Sequence, residues 1–204
     1  MIRCVPTATA RFIWSIGDGI VLIPRTPTIA TAYHALLAAN HARLAVWSPG
    51  LEEPTPEATR TALERSGRAW VEGTRLPLAI GISGDNGHRL VGAMNLAIDR
   101  SAGSAEVGFW IDASTEGRGL VARALNAVLG YAFGDLDLHR VEMRTLTTND
   151  RSIRLAEGSG FTFEGVLRKA IRFPDGHRDV AVYALLADEF VEPRRRSKTQ
   201  AATS

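Results

Sequence analysis

The sequence predicts a mixed α/β (α+β) domain: a central, twisted, seven-stranded mixed sheet flanked by about four helices. Three observations predict it. Strand-like and helix-like periodicities interleave along the chain. A run of three strands joined by tight turns occupies the first half, and a strand–helix–strand unit of the kind that connects parallel neighbours follows it. The 204 residues, 45% of them hydrophobic, suit one domain with its own core.

Gly19-Ile-Val-Leu-Ile-Pro24 reads as the first strand. Pro27 to His41 has helical spacing, with Ala30, Tyr33, Leu36 and Leu37 on one side. The proline-rich, acidic stretch 48–56 reads as a loop, after which Thr55 caps a second helix with Pro56 in its first turn, running to Glu72. Leu76–Ser83 and Arg89–Asp99 flank Gly84-Asp-Asn-Gly87, a hairpin turn. Ser101-Ala-Gly-Ser104 turns the chain into a further strand, Ala105–Asp112. A helix over Ala122–Phe133 comes next. Leu138–Leu146 alternates, with His139, Val141 and Met143 on the apolar face, where His139 is expected to be a core histidine. Asn149 or Asp150 caps a short helix to Gly158. Phe161–Phe173 and Arg178–Leu186 form a last hairpin across Pro174-Asp-Gly-His177. Residues 1–18 read as an N-terminal extension, 19–190 as the domain, and 191–204, with Arg194–Arg196 and Lys198, as a disordered basic tail.

Composition narrows the function. No apolar run reaches the roughly 18 residues that span a bilayer, and the first residues lack the apolar core of a signal peptide. Cys4 is the one cysteine, which rules out an intramolecular disulfide and a cysteine-based metal site and suits the cytoplasm. The formal net charge of +2 does not point to nucleic acid. No His, Asp and Glu cluster has metal-ligand spacing, so no metal is expected.

The most informative stretch is Thr115-Glu-Gly-Arg-Gly-Leu-Val-Ala122. It lies between the apolar run Val107–Ile111 and a helix. The first amides of a helix lack internal partners and carry partial positive charge. Gly117 and Gly119 remove side chains where an anion would approach. A phosphorylated ligand follows. The turn lacks the lysine of a nucleotide-binding P-loop, and the meander before it does not suit a dinucleotide-binding unit.

Ala105-Glu-Val-Gly-Phe-Trp-Ile-Asp112, Glu116-Gly-Arg-Gly-Leu-Val-Ala122, Leu138-His-Arg-Val-Glu142, Asn149-Asp-Arg-Ser152 and Gly160-Phe-x-x-Glu-Gly165 together resemble the GNAT superfamily of acyl-CoA-dependent N-acyltransferases, in its RimJ/RimL-type branch. The resemblance covers residues 19–188 and is densest over 105–165. It implies a GNAT fold, acetyl-CoA as co-substrate, and direct attack by an amine, either a protein or peptide N-terminus or a small molecule. It implies that Trp110, Ile111 and Asp112 meet pantetheine through their main chains, one amide near Trp110–Ile111 serving the oxyanion. Gly117, Arg118, Gly119, Leu120, Val121 and Ala122 would cradle the pyrophosphate, and Asn149 would contact the cofactor. The family's pyrophosphate motif has Gln or Arg where this chain has Glu116, and a small residue where it has Val121. Glu116 repels phosphate, so its side chain is expected to point away.

Glu106 is the candidate general base; the other reading is a surface glutamate paired with an arginine. Many family members carry a tyrosine acid at the position of Ala156. That tyrosine is absent here; RimL-type relatives instead use a serine three residues after the asparagine that matches Asn149, and this resemblance implies Ser152 as the donor to the departing thiolate, the other reading being a serine bonding locally within its helix. RimL-type enzymes have a glutamate where this chain has Ile171. Trp47 matches a tryptophan of that branch that lines the amine pocket. Trp110 either walls the acyl pocket or packs. A non-catalytic acyl-CoA sensor and an enzyme for another acyl group, such as succinyl, are the alternatives, and a homodimer is compatible with either.

Overall fold

A computed structural model describes residues 12–85 and 87–191. Cys4 and the basic stretch Arg194–Arg196 with Lys198 lie outside the described residues. Eight strands form one sheet, one more than the sequence predicts. The additional strand, β1 (Trp14–Gly17), pairs antiparallel with β2 (Ile20–Pro24) and lies within the stretch read as an extension. Its residues alternate between half-buried and exposed, but the run is only four long. The hairpin depends on Gly17, Asp18 and Gly19, whose φ angles of 94°, 49° and 71° allow the tight reversal. The Trp14 ring stands edge-on to Tyr131 with 5.9 Å between centroids, which fixes β1 to the body.

A 3-10 turn at Pro27–Ile29 leads into α1 (Ala30–Ala45), which ends about one turn later than expected, and then α2 (Pro56–Val71). Thr55 caps α2, accepting the Ala58 N–H at 3.1 Å. The meander is β3 (Arg75–Gly84), β4 (Gly87–Asp99) and β5 (Ser104–Ile111). It is followed by α3 (Leu120–Gly134), β6 (Arg140–Leu146), α4 (Asp150–Gly158), β7 (Thr162–Phe173) and β8 (Gly176–Leu186). Sheet order is β1-β2-β3-β4-β5-β6-β8-β7. All neighbours are antiparallel except β5 and β6.

Two apolar layers cover the sheet. On one face Val21, Ile23, Ala79, Leu90 and Ala93 pack under Tyr33 of α1 and Leu63 of α2. On the other, Leu22, Leu78, Met94, Val107, Val141 and Met143 pack under Leu125, Val128 and Leu129 of α3 and Ala156 of α4. Residues Leu76–Gly81 of β3 are buried without interruption because both faces are covered. His139 departs from expectation. The strand begins at Arg140, so His139 is exposed in the connection before it, with Nδ1 2.9 Å from where a Cβ on Gly103 would stand.

Candidate active site

Parallel β5 and β6 are paired only over Ser104–Glu106 and Arg140–Glu142. Beyond Glu106 they part. β6 stays paired with β8 to Leu146, while β5 runs alongside β4 to Ile111. The gap opens toward the C-terminal ends of both strands, beside the glycine turn. Main-chain groups alternate in direction along a strand. Asp112 donates its N–H to Val91 O at 2.6 Å, toward β4. Trp110 turns the same way: a Cβ on Gly92 would lie 2.4 Å from its carbonyl oxygen. Ile111 and Phe109 therefore face the gap. Of the three residues expected to offer main-chain groups there, Ile111 does with its N–H, its carbonyl being taken by Arg43, whereas Trp110 and Asp112 face β4. Phe109 takes a place that its apolar side chain hides in the sequence.

The strand's end is tied down before the turn begins. Thr115, 1% exposed, donates both N–H and hydroxyl to Asp112 O, at 2.9 and 3.0 Å. The Asp112 carboxylate accepts Ser114 Oγ at 2.6 Å and Asn40 Nδ2 at 3.1 Å. Burial pushes the Asp112 carboxyl pKa up, but these hydrogen bonds and the charge of Arg89 outweigh it and hold the group below the usual carboxylate range. Residues 117–119 are exposed. Gly117 and Gly119 have φ angles of 73° and 67°, and a Cβ at either would meet nothing within 4 Å. Gly119 is the N-cap of α3 and offers no side chain, so the turn presents bare amides at the positive end of a 15-residue helix. This arrangement fits an elongated ligand with a thiol-bearing arm in the gap and a pyrophosphate on the turn. Leu120 and Val121 send their side chains into the core, so Val121 does not obstruct the turn.

Glu116 points away from the cradle, as expected. It accepts Arg43 Nη1 at 2.7 Å and is also paired with Arg151, joining α1, the turn and α4. Arg43 donates to Asn40 Oδ1 at 3.2 Å and to the Ile111 carbonyl. Asn40, 3% exposed, also accepts the Ala113 N–H at 3.3 Å. The carboxylate that would repel a phosphate is thus neutralised by two cations, one from each flanking helix. Asn40 and Arg43 had no motif to mark them, and Arg151 lies inside the Asn149–Ser152 motif without a role assigned to it. Asn40 and Arg43, three apart on α1, reach Asp112 and Glu116 only once α1 crosses the end of β5.

Glu106 stands at the fork where β5 and β6 part, half exposed, with Arg144 Nε 3.6 Å away. It belongs to a charged row on the open face, where Glu142 accepts from Arg140 and Arg144, and Arg140 reaches Glu164. Asn149 caps α4 by accepting the Ser152 N–H at 3.2 Å. Among the described residues the Ser152 hydroxyl has no hydrogen-bond partner, so the local bond that would explain it as structural is not made. Trp110 lies under α1, its ring 6.3 Å from Tyr33. Trp47 is 38% exposed just beyond α1. His34 is bonded to Thr59 and His41 to Leu51 O, both from α1. Ile171 faces Arg178 across the β7–β8 hairpin. No group of His, Cys, Asp and Glu among the described residues could hold a metal, and no helix there is long and apolar enough to cross a membrane.

The chain matches known proteins in sequence and in fold. The family model described as an acetyltransferase (GNAT) domain matches residues 20–162. YdaF of Bacillus subtilis, provisionally named a ribosomal N-acetyltransferase, is 27% identical over 88% of this chain and 97% of its own length. The ribosomal-protein-serine acetyltransferase of Escherichia coli is 33% identical over 42% of this chain and 48% of its own. Among solved structures, RimL, a ribosomal L7/L12 α-N-protein acetyltransferase in complex with coenzyme A, superposes with a TM-score of 0.81. It is 23% identical and covers 87% of this chain and 99% of its own, a likeness of fold. The matched span takes in the parted strands, both turn glycines and Asn149 to Ser152, and the chain belongs to the GNAT family of acetyltransferases.

Proposed function

We propose that the chain moves an acetyl group from acetyl-CoA to a primary amine, and that this amine is the N-terminus of a protein or peptide of the ribosomal-protein kind. The observation that carries the reading is the gap between β5 and β6 ending on the bare amides of the Gly117–Gly119 turn. It suits a pantetheine arm and a pyrophosphate at once. The names of YdaF and of the E. coli relative support a ribosomal-protein acceptor, and RimL and the immunity acetyltransferase MccE, the latter solved with acetyl-CoA and AMP, support the co-substrate.

In this mechanism the amine nitrogen attacks the thioester carbonyl. The C–N bond forms, negative charge collects on the carbonyl oxygen, the C–S bond breaks, and the nitrogen loses a proton. The amide N–H of Ile111 or Phe109, unclaimed by β6, receives the oxyanion. The Ser152 hydroxyl donates to the departing sulfur. Glu106 takes the amine proton at the fork, where Arg144 stands 3.6 Å from its carboxylate and orients it. Gly117, Arg118, Gly119, Leu120, Val121 and Ala122 hold the pyrophosphate, Asn149 orders the head of α4, and Trp47 and Trp110 border the acceptor side.

Thiol release from acetyl-CoA, followed with peptides carrying free or acetylated N-termini, tests the reading. Release with the free peptides and none with the blocked ones is the expected result. Tight CoA binding with no turnover on any amine would make the chain a sensor instead.

A further inference from the structure

The two glycines of the turn create a problem that a second side chain solves. A peptide group flanked by glycines rotates easily, so Gly117 and Gly119 alone do not fix which way the turn's amides point. Arg123, one turn into α3, folds its guanidinium back over this segment. Nη2 donates to the Arg118 carbonyl at 2.9 Å; the Gly119 carbonyl is already held by the Arg123 backbone N–H at 3.1 Å, the first helical bond of α3, with Nε adding a longer contact at 3.4 Å. In a planar trans peptide the C=O and the next N–H point in opposite directions. Holding the carbonyls of 118 and 119 on the helix side therefore aims the N–H groups of Gly119 and Leu120 outward, toward an anion.

Arg123 is itself anchored. Its Nη1 lies 3.2 Å from Asp18 Oδ2 at the tip of the β1–β2 hairpin, where Asp18 has a left-handed backbone of φ 49° between two glycines. A cation in the first turn opposes the helix dipole, so the position does not favour the helix for its own sake. It raises the positive potential at the exposed amides and masks the nearest carbonyl dipoles.

We propose that Arg123 is a positioning residue for acyl-CoA. It fastens the 118–119 peptide group, the one the helix does not hold, in the orientation that binds the pyrophosphate, and Asp18 holds Arg123 there. The inference rests on the acyl-CoA reading of the turn given above.

The test is calorimetric binding of acetyl-CoA together with steady-state kinetics on Arg123→Met, Arg123→Lys and Asp18→Asn. For Arg123→Met, Kd and KM for acetyl-CoA are expected to rise about tenfold, the size of one charge-assisted hydrogen bond. Its kcat should stay within about twofold, because nothing at the reacting atoms changes. Arg123→Lys keeps the charge but not the fork that spans the Arg118 carbonyl and Asp18, so it recovers the affinity only in part. Asp18→Asn weakens binding less than Arg123→Met. Full recovery with Lys would mean a direct ion pair with phosphate and overturn the positioning role, as would Arg123→Met with wild-type Kd. A wild-type chain that binds no acetyl-CoA would overturn the cofactor reading itself, a separate outcome.

Discussion

Glu116 accepts a hydrogen bond from Arg43 of α1 at 2.7 Å while its second oxygen engages Arg151 of α4. One carboxylate at the start of the cofactor turn thus joins the two helices on either side of the β5–β6 gap. The residue that disagrees most with the family's phosphate motif serves as a structural bridge. Glu116→Gln should leave acetyl-CoA affinity unchanged or tighter, because a negative charge beside the cradle is lost. The melting temperature should fall by roughly 2–4 °C, as for about 1 kcal/mol in a chain of this size. Calorimetric Kd and a thermal melt check both; weakened binding would show that the bridge orients the cradle.

Gly119 holds a φ of 67° with open space where a Cβ would stand. Gly119→Leu introduces a side chain into that space and a left-handed strain of about 1–2 kcal/mol. Acetyl-CoA binding should vanish while far-UV circular dichroism stays that of the folded chain. Unchanged affinity would remove the phosphate-cradle role.

Glu106 at the fork is the proposed base. Glu106→Gln should slow turnover at neutral pH more than at high pH, where the amine is already unprotonated. A pH–rate profile parallel to wild type would transfer the role elsewhere.

Gly92 faces Ile111 across β4 and β5, and a Cβ there would stand 2.4 Å from the Trp110 carbonyl oxygen, a backbone atom that cannot swing aside. Gly92→Ala should push the end of β5 off β4, costing about 1–3 kcal/mol. It should also lower kcat, because the main-chain groups of Phe109 and Ile111 move with the strand. Urea unfolding and single-turnover kinetics report the two effects.

Arg140 hydrogen-bonds both Glu142 and Glu164. Burial raises the Glu142 pKa, but the hydrogen bonds from Arg140 and Arg144 more than reverse it. For Glu164 the hydrogen bond from Arg140 is the main cause; both carboxyls end below their usual value. Depressed folded values mean that this stabilisation is complete above the ordinary glutamate pKa of about 4.3 and is lost as pH falls through the lower folded values. Melting temperature should therefore drop on acidification below roughly pH 5, and Arg140→Gln should make that drop shallower. An identical pH dependence in the two proteins would remove this pair from the account of acid stability.

Seven strands, four helices and the glycine turn were legible in the sequence because each is written locally. Alternation marks β6, Thr55 and Asn149 mark the starts of α2 and α4, and Gly117 and Gly119 mark a backbone that an anion can approach. The eighth strand was missed, since its alternation runs for only four residues. His139 was misplaced because an alternating pattern does not show where a strand begins. Tertiary structure alone decided which main-chain groups face the gap, since that follows from the register of β5 on β4. It also decided how a carboxylate could stand in a phosphate-binding turn. Arg43, Glu116 and Arg151 are separated by 73 and 35 residues, and Arg123 by 105 from Asp18. Charges that far apart in the chain interact only when packing brings their helices and turns together, and no local spacing encodes that meeting.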